Sequence, residues 1–147
     1  MRHEACDRIG PVRPVSPVRP SRTARIARGL SAQAAGHQAE RRVAEVYRAR
    51  GCEILAQCWR GRAGEIDLIL RDGSALVFVE VKYRSGRGWG EPLEAVTHAK
   101  VRRLAALALL WLREHPQRVE QIRVDAIGVL RVPGQRHRIT HARGITR

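Results

Sequence analysis

The sequence predicts an α/β fold in which helices flank a mixed β-sheet of four to five strands, in the order α-β-β-β-α-β(-β). Short apolar runs rich in β-branched residues alternate with two longer helical patterns. An Asp-Gly pair at residues 72–73 separates two of these runs, which is a strong signal of a β-hairpin. A later strand follows a helix, and such a crossover permits parallel pairing, so we expect a mixed sheet.

The first 35 residues differ in composition from the rest of the chain. They include the tract PVRPVSPVRP, which cannot hold a helix and has little apolar surface to bury. We expect residues 1–35 to form a disordered basic arm and residues 36–147 to form one α/β domain. The arm either adds nonspecific attraction for phosphate or is an extension without a role.

The first predicted helix extends from Ser31, a candidate N-cap, to Arg50, and Gly51 stands where a C′ glycine would end it. Glu40 lies at the edge of its apolar stripe, so its carboxylate needs a partner. That partner is either a metal cluster or an arginine. The stripe consists of Ala39, Val43, Val46 and Tyr47.

The hairpin places four charged residues inside two apolar strands, residues 64–70 and 75–81 with their flanks. If the Asp-Gly pair forms a type I′ turn, Glu65 lies opposite Glu80, and Asp67 lies opposite Phe78. Because side chains alternate along a strand, the three acids and Lys82 would then share one face. Both faces are otherwise apolar, which favours buried charges. The alternative is a single solvated face.

Three carboxylates beside one ammonium need additional positive charge. Like charges repel across a sheet, and buried charges require a partner or a metal ion. Carboxylate oxygens are hard ligands that suit Mg²⁺ or Mn²⁺ better than zinc. The hairpin therefore predicts a site for one of these cations at Glu65, Asp67 and Glu80.

A short strand at residues 52–58 and a basic turn at residues 59–62 precede the hairpin, and a glycine-rich loop follows it at residues 83–92. Arg84, Arg87 and Trp89 of this loop offer guanidinium groups for phosphates and one aromatic ring for stacking. These residue types suit nucleic-acid contact, although a single tryptophan more often packs in a core.

The second predicted helix begins at Pro92 and ends near His115, and Pro116 stops it. Lys100 and Arg103 each lie one helical turn before a residue of the helix's apolar stripe. They either direct positive charge toward the same nucleic-acid substrate or belong to a solvated face. The apolar stripe consists of Leu104, Leu107, Ala108 and Trp111.

The last third of the chain completes the predicted sheet. Residues 122–130 form a strand with Asp125 in its middle, and Pro133 and Gly134 then turn the chain. We expect a final edge strand at residues 138–141.

Composition favours a polyanionic partner. The 28 Lys and Arg residues against 14 Asp and Glu give a net charge of +14, which makes nucleic acid the first candidate. Nearly all of the basic residues are arginine, a bias that genome base composition also produces. The chain has neither an apolar run long enough for a membrane span nor a secretory signal pattern, so we expect a cytoplasmic protein without membrane contact.

Cysteine and histidine spacing gives no metal motif. Cys6, Cys52 and Cys58 are odd in number and have no CxxC spacing, so we expect free thiols and neither a disulfide framework nor a zinc site. The six histidines are scattered and receive no chemical role.

The residues that carry a family resemblance are spread over most of the chain. Asp67, followed by Glu80-Val81-Lys82, resembles the motif of the PD-(D/E)xK nucleases, which have the restriction-endonuclease-like fold. A larger pattern is similar to the YraN family of uncharacterised bacterial proteins, also called UPF0102, which is grouped with Holliday-junction-resolvase-like members of this fold. The pattern covers about residues 36–143 and comprises Gly36-x-x-Ala39-Glu40, GEIDLI at 64–69, FVEVKYR at 78–84, Lys100 and Arg123-x-Asp125.

The resemblance implies a role for each matching residue. Asp67 and Glu80 would bind the metal, with the Val81 carbonyl as a further ligand, and Glu40 would complete the site. Lys82 would orient or activate the attacking water. Glu65 belongs to the family pattern but not to the minimal nuclease motif.

The resulting expectation is a nuclease that uses Mg²⁺ or Mn²⁺ to hydrolyse phosphodiester bonds in DNA rather than RNA. The branched or structured substrates of repair and recombination, and a homodimer, follow from the resemblance. A catalytically silent nucleic-acid-binding module is the first alternative. A protein whose basic surface meets an acidic partner is the second. An intact set of Asp67, Glu80 and Lys82 favours the nuclease, because carboxylates repel phosphate and a purely binding surface has little use for them.

Overall fold

The computed structural model describes residues 21–86, 88 and 90–146, and the order of its elements is the predicted one. The predicted arm up to residue 20, Arg87 and Trp89 lie outside the described residues. The elements are α1 (Arg22–Ala49), β1 (Glu53–Gly61), β2 (Gly64–Asp72), β3 (Ala75–Ser85), a short 3₁₀ turn (Pro92–Ala95), α2 (His98–Glu114), β4 (Gln121–Arg131) and β5 (Arg138–Ala142).

The five strands form one sheet in which the spatial order follows the chain order, β1-β2-β3-β4-β5. β3 and β4 are parallel, and every other neighbouring pair is antiparallel. Helix α2 lies in the crossover that parallel pairing requires. The predicted mixed sheet flanked by helices is therefore confirmed.

Each helix packs on its own face of the sheet. The α1 stripe is buried as predicted, except that Val46 is 37% exposed and Ala44 takes its place. The predicted α2 stripe is fully buried, while Leu109 of the same helix is exposed. The α1-side core contains Leu68, Leu70, Val77, Val79, Val81, Ile127 and Val129 from the sheet. The α2-side core contains Ile66, Ile69, Leu76, Phe78 and Val124.

Both helices begin at positions other than those predicted. The side chain of Ser21, not Ser31, caps α1 by accepting the N–H of Ala24, so residues 22–35 are helical. Thr97 caps α2 in the same way, and Pro92–Ala95 is a separate 3₁₀ turn. In both cases a hydroxyl that can accept an N–H of the first turn sets the start of the helix. None of the helices in the described part of the chain combines the length and apolarity that a membrane crossing needs.

The hairpin turn differs from the predicted one by its central residues. Asp72 pairs with Ala75, so Gly73 and Ser74 are at the centre. Gly73 has a φ of 60°, which fits a type II′ turn, where glycine occupies the first central position. The pairing of opposed residues is consequently shifted by two positions from the predicted register. An even shift leaves the predicted faces unchanged for the residues of the paired ladder, which extends from the turn to Leu68 and Val79.

Two strands are longer than predicted. β1 continues through Trp59 to Gly61, where a turn was expected, and β3 continues through Arg84 to Ser85, where a loop was expected. Parallel pairing with β4 over the whole length of β3 accounts for the second difference.

Candidate active site

The paired backbones of β2 and β3 separate where the charged residues lie. Their ladder ends at Leu68 and Val79, although both strands continue beyond it, β2 against β1 and β3 against β4. The sheet therefore opens into a fork. The next residues along the two strands are Asp67 and Glu80, which replaces the predicted opposition of Asp67 and Phe78.

Asp67 closes the vertex of this fork with its side chain. Its Oδ2 accepts the backbone N–H of Val81 at 2.7 Å. In a regular ladder, a backbone carbonyl of the neighbouring strand would accept this N–H. Ile66 packs in the α2-side core while Leu68 packs in the α1-side core. Since residues two apart on a regular strand share a face, β2 changes phase at Asp67. The carboxylate is thus held between the two faces of the sheet.

Glu80 is 2% exposed and receives two ammonium groups. Nζ of Lys82 lies 2.6 Å from its Oε1, and Nζ of Lys100 on α2 lies 3.2 Å from the same oxygen. These are the only two lysines in a chain with 28 Lys and Arg residues. A compact ammonium lets two cations reach one oxygen, which planar guanidinium groups do less easily. Lys100, expected to face the substrate, therefore lies within the acidic site.

Burial and the neighbouring Glu80 carboxylate raise the pKa of Asp67 to about 7. The carboxylate of Glu40 adds to this effect, while the Val81 N–H and Lys82 oppose it only in part. Near neutral pH, Asp67 therefore holds a proton for part of the time. The negative charge of ionised Asp67 is thus not fully balanced by nearby positive groups. At such a carboxyl group a cation can take the place of the proton.

Glu40, on α1, contacts neither of the predicted partners directly. Its Oε2 lies 3.2 Å from Nδ1 of His37 and accepts a hydrogen bond from Sγ of Cys58, also at 3.2 Å. In the part of the chain that the structure describes, no arginine pairs with it. Cys58 lies on β1 between residues that pair with Leu68 and Ile66, so its contact with Glu40 places Glu40 beside the fork.

His37 and Cys58 are site residues that the sequence-based reasoning missed. The His-x-x-Glu spacing on a helix puts both side chains on one face, and this signal was available. The proximity of Cys58, which comes from β1, was not readable from local pattern. Its thiol pKa is raised to about 11 by burial, by the hydrogen bond to Glu40 and by nearby acids.

Glu65 lies apart from the two buried acids. Its side chain is 50% exposed, and its Oε2 lies 3.5 Å from Nε of Arg60. It lines a groove at the β1–β2 turn. Glu65 is thus an exposed acid at the rim of the site.

Two basic grooves are lined by the lysines that contact Glu80. The first, of about 700 Å³, lies between the N-terminal half of α1 and the end of β3, and its basic lining residues are Arg28, Lys82, Arg84 and Arg131. The second, of about 530 Å³, lies between the β1–β2 turn and α2, and its basic lining residues are Arg60, Arg62, Lys100 and Arg103.

The two lysines join these grooves to the fork. Lys82 lines the first groove and Lys100 lines the second, and both contact Glu80. The predicted nucleic-acid residues Arg84, Lys100 and Arg103 therefore lie along grooves that lead to the acids. The arrangement offers positive surface on either side of the buried acids.

Arg123 and Asp125 form a separate buried network on β4. Asp125 has no exposed surface, and Nε of Arg123 donates to both of its oxygens at 2.9 and 3.0 Å. Nε2 of His141 lies 2.8 Å from Asp125, and the N–H of Gly144 donates to it at 2.9 Å. Arg123 also reaches Asp72 at the hairpin turn, at 3.1 Å. This network ties the turn and the C-terminal segment to the sheet.

Comparison with known proteins gives a consistent family match. The sequence profile described as "Uncharacterised protein family UPF0102" matches residues 39–129. A UPF0102 protein of Nocardia farcinica is 48% identical over 113 residues, which cover 77% of this chain and 89% of the relative. A UPF0102 protein of Beutenbergia cavernae is 44% identical over 112 residues, covering 76% and 95%. One of Renibacterium salmoninarum is 44% identical over 110 residues, covering 75% and 93%.

Proposed function

The chain belongs to the uncharacterised protein family UPF0102, and from the geometry of its acidic fork we propose that it is a metal-dependent nuclease that hydrolyses phosphodiester bonds in DNA. One observation carries the proposal: the buried acids Asp67 and Glu80 adjoin each other, and Glu80 is contacted by one lysine from each of two basic grooves. A surface that only binds phosphate gains nothing from buried carboxylates at its centre, because they repel the ligand.

The oxygen ligands at the fork fit a hard divalent cation. Asp67, Glu80 and the carbonyl of Val81 would hold Mg²⁺ or Mn²⁺, with Glu40 completing the set from α1. Burial and the Glu80 carboxylate raise the pKa of Asp67, so the site lacks positive charge near neutral pH. This lack of positive charge supports the assignment of a cation to the fork. Bound there, the cation would withdraw charge from the oxygens of the scissile phosphate.

The lysines supply the remaining chemistry from the chain itself. Lys82 would orient the attacking water and help it lose a proton, since its Nζ already lies at a metal-binding acid. Lys100 would balance the charge of Glu80 from the opposite groove and contact a phosphate oxygen of the bound strand.

The grooves define the substrate that suits this site. Their arginines would bind phosphates on both sides of the scissile bond without reading sequence. The two grooves are lined by different helices, α1 and α2, and Lys82 and Lys100 link both of them to Glu80. Branched or otherwise structured DNA, as found in repair and recombination, is the substrate class that the resemblance to Holliday-junction-resolvase-like proteins implies.

A catalytically silent nucleic-acid-binding module is the alternative, and the grooves alone would support it. A titration calorimetry experiment separates the two. Mn²⁺ is titrated into the wild type and into the Asp67→Asn and Glu80→Gln variants. Glu65→Gln is the matched control, because it removes a nearby but half-exposed carboxylate. We expect the wild type and the control to bind the ion and the two fork variants to lose binding.

Cleavage assays on linear, flapped and four-way DNA follow, each with Mg²⁺, with Mn²⁺ and with a chelator. Cleavage that needs the cation and disappears in both fork variants supports the nuclease. If the wild type binds no cation even with a DNA oligonucleotide present, the nuclease proposal fails and the binding module is the better account.

A further inference from the structure

Three ligand atoms of different chemical kinds meet beside the fork. Nδ1 of His37 and Oε2 of Glu40 come from α1, and Sγ of Cys58 comes from β1. Glu40 lies 3.2 Å from each of the other two, and all three atoms lie within 4.8 Å of one another. None of the contacts involves Asp67 or Glu80, so the group is distinct from the acids of the fork.

These separations match the edges of a small coordination polyhedron. Zinc bonds of about 2.0 Å to nitrogen or oxygen and about 2.3 Å to sulfur place neighbouring tetrahedral ligands roughly 3.3–3.6 Å apart. The two measured edges, both 3.2 Å, are already close to this spacing. The third edge, between His37 and Cys58, needs only a small closing movement of two side chains that are exposed enough to make it.

The backbone holds Cys58 in an unusual conformation at this point. Its φ of 49° is the only positive value among the non-glycine residues that the structure describes. L-residues rarely adopt this region, because the Cβ atom then crowds the following carbonyl oxygen. The fold therefore holds the thiol toward Glu40 against the local preference of its backbone.

The mixture of ligands selects a different ion from the one expected at the fork. A thiolate, an imidazole and a carboxylate form a borderline-soft set that favours Zn²⁺ over Mg²⁺. We propose that His37, Glu40 and Cys58 bind Zn²⁺ through three protein ligands, with a fourth position open to solvent. Sites with three protein ligands and an open position are the kind that can also take water or a substrate oxygen.

This inference does not rest on the proposed nuclease activity, but the two sites share Glu40. When Glu40 serves the fork, the zinc site loses one of its three ligands. Zn²⁺ and the fork cation are therefore expected to weaken one another's binding, and the coupling is reciprocal.

The test uses Co²⁺ as a spectroscopic probe for Zn²⁺, titrated into the full chain with a reductant that does not bind metal. We expect a sulfur-to-cobalt charge-transfer band and the visible bands of tetrahedral cobalt, both removed by added Zn²⁺. Cys58→Ser should abolish the charge-transfer band. His37→Ala should weaken Co²⁺ binding at least about tenfold, because loss of an outer-shell partner alone costs about 10–100-fold.

Two variants serve as controls, and circular dichroism checks the folding of each variant. Cys52→Ser removes the other described thiol, which lies beside Asp72, and should keep the band. Asp67→Asn should also keep it, which separates this site from the fork. A wild type without a charge-transfer band, or a band that survives in Cys58→Ser, would overturn the zinc site. Neither result bears on cleavage of DNA, so the two proposals fail independently.

Discussion

Lys82 and Lys100 place their ammonium groups on the same oxygen of Glu80, at 2.6 and 3.2 Å. One comes from a strand and the other from the crossover helix, so the contact fixes α2 against the fork. All of the other residues among the 28 Lys and Arg residues of the chain are arginine. Both lysines therefore occupy a place where compact ammonium groups have a steric reason to be present.

The two lysines are expected to differ in their catalytic effect. Lys82→Arg should lower the single-turnover rate of DNA cleavage by about 10²–10⁴-fold, the usual contribution of a group that assists proton transfer. Lys100→Arg keeps a positive charge beside Glu80 and should reduce the rate much less. Rates are compared at saturating Mn²⁺ and saturating DNA. Equal losses in both variants would contradict the assignment of the water to Lys82.

The raised pKa of Asp67 predicts how stability without metal depends on pH. A carboxyl group that binds its proton more tightly in the folded state stabilises that state at low pH. This contribution is lost as pH rises from about 4, the unfolded value, to about 7. Asp67→Asn keeps a hydrogen-bond acceptor for Val81 but carries no charge. At pH 8 it should therefore be more stable than the wild type, by roughly 1–3 kcal/mol.

Urea denaturation with a chelator present, at pH 4.5 and pH 8, measures this difference. The advantage of the asparagine variant should be small at the lower pH and should shrink at pH 8 when Mn²⁺ is added. A difference that is equal at both pH values would show that ionisation of Asp67 is not its cause.

Arg123 is expected to be the most costly arginine to replace. Arg123→Met leaves Asp125 buried without its guanidinium partner, and removal of one member of a buried pair costs about 3–5 kcal/mol. Arg102→Met is the matched control, because Arg102 is exposed on α2. The free energy of unfolding from urea titrations should fall strongly only in the first variant. Similar values for the two would show that His141 and Gly144 suffice to hold Asp125.

DNA affinity should depend on arginines in both grooves. Arg28→Ala and Arg103→Ala should each weaken binding and reduce the salt dependence of the affinity by about one phosphate contact. Arg113→Ala, at the far end of α2, is the control with the same change in charge. Fluorescence anisotropy at several salt concentrations gives both quantities. An equal effect at Arg113 would indicate attraction by net charge instead of a path along the grooves.

Sequence pattern was sufficient for the elements and for the charged residues of the hairpin, because both depend on local periodicity. It misplaced the hairpin turn, since the choice between a type I′ and a type II′ turn depends on which position takes the positive φ. It started α1 at Ser31 instead of Ser21, because the arm inferred from the proline-rich tract was extended too far along the chain.

The fork and the contact of Cys58 with Glu40 could not be predicted from the sequence. The phase change at Asp67 depends on its bond to the Val81 N–H, which forms between strands. The contact of Cys58 with Glu40 joins a strand to a helix that precedes it. Both are tertiary contacts, and neither has a signature in the spacing of residues along one element.

The strand order of the sheet has a consequence for the kinetics of folding. β1, β2 and β3 are neighbours in sequence and in space, so they can associate by closing short loops. Pairing of β3 with β4 must wait for the crossover, and Lys100 arrives only with that helix. During folding, the acids of the meander therefore come together before their second ammonium is in place. A cation that binds the fork as proposed would then accelerate folding itself, in addition to slowing unfolding.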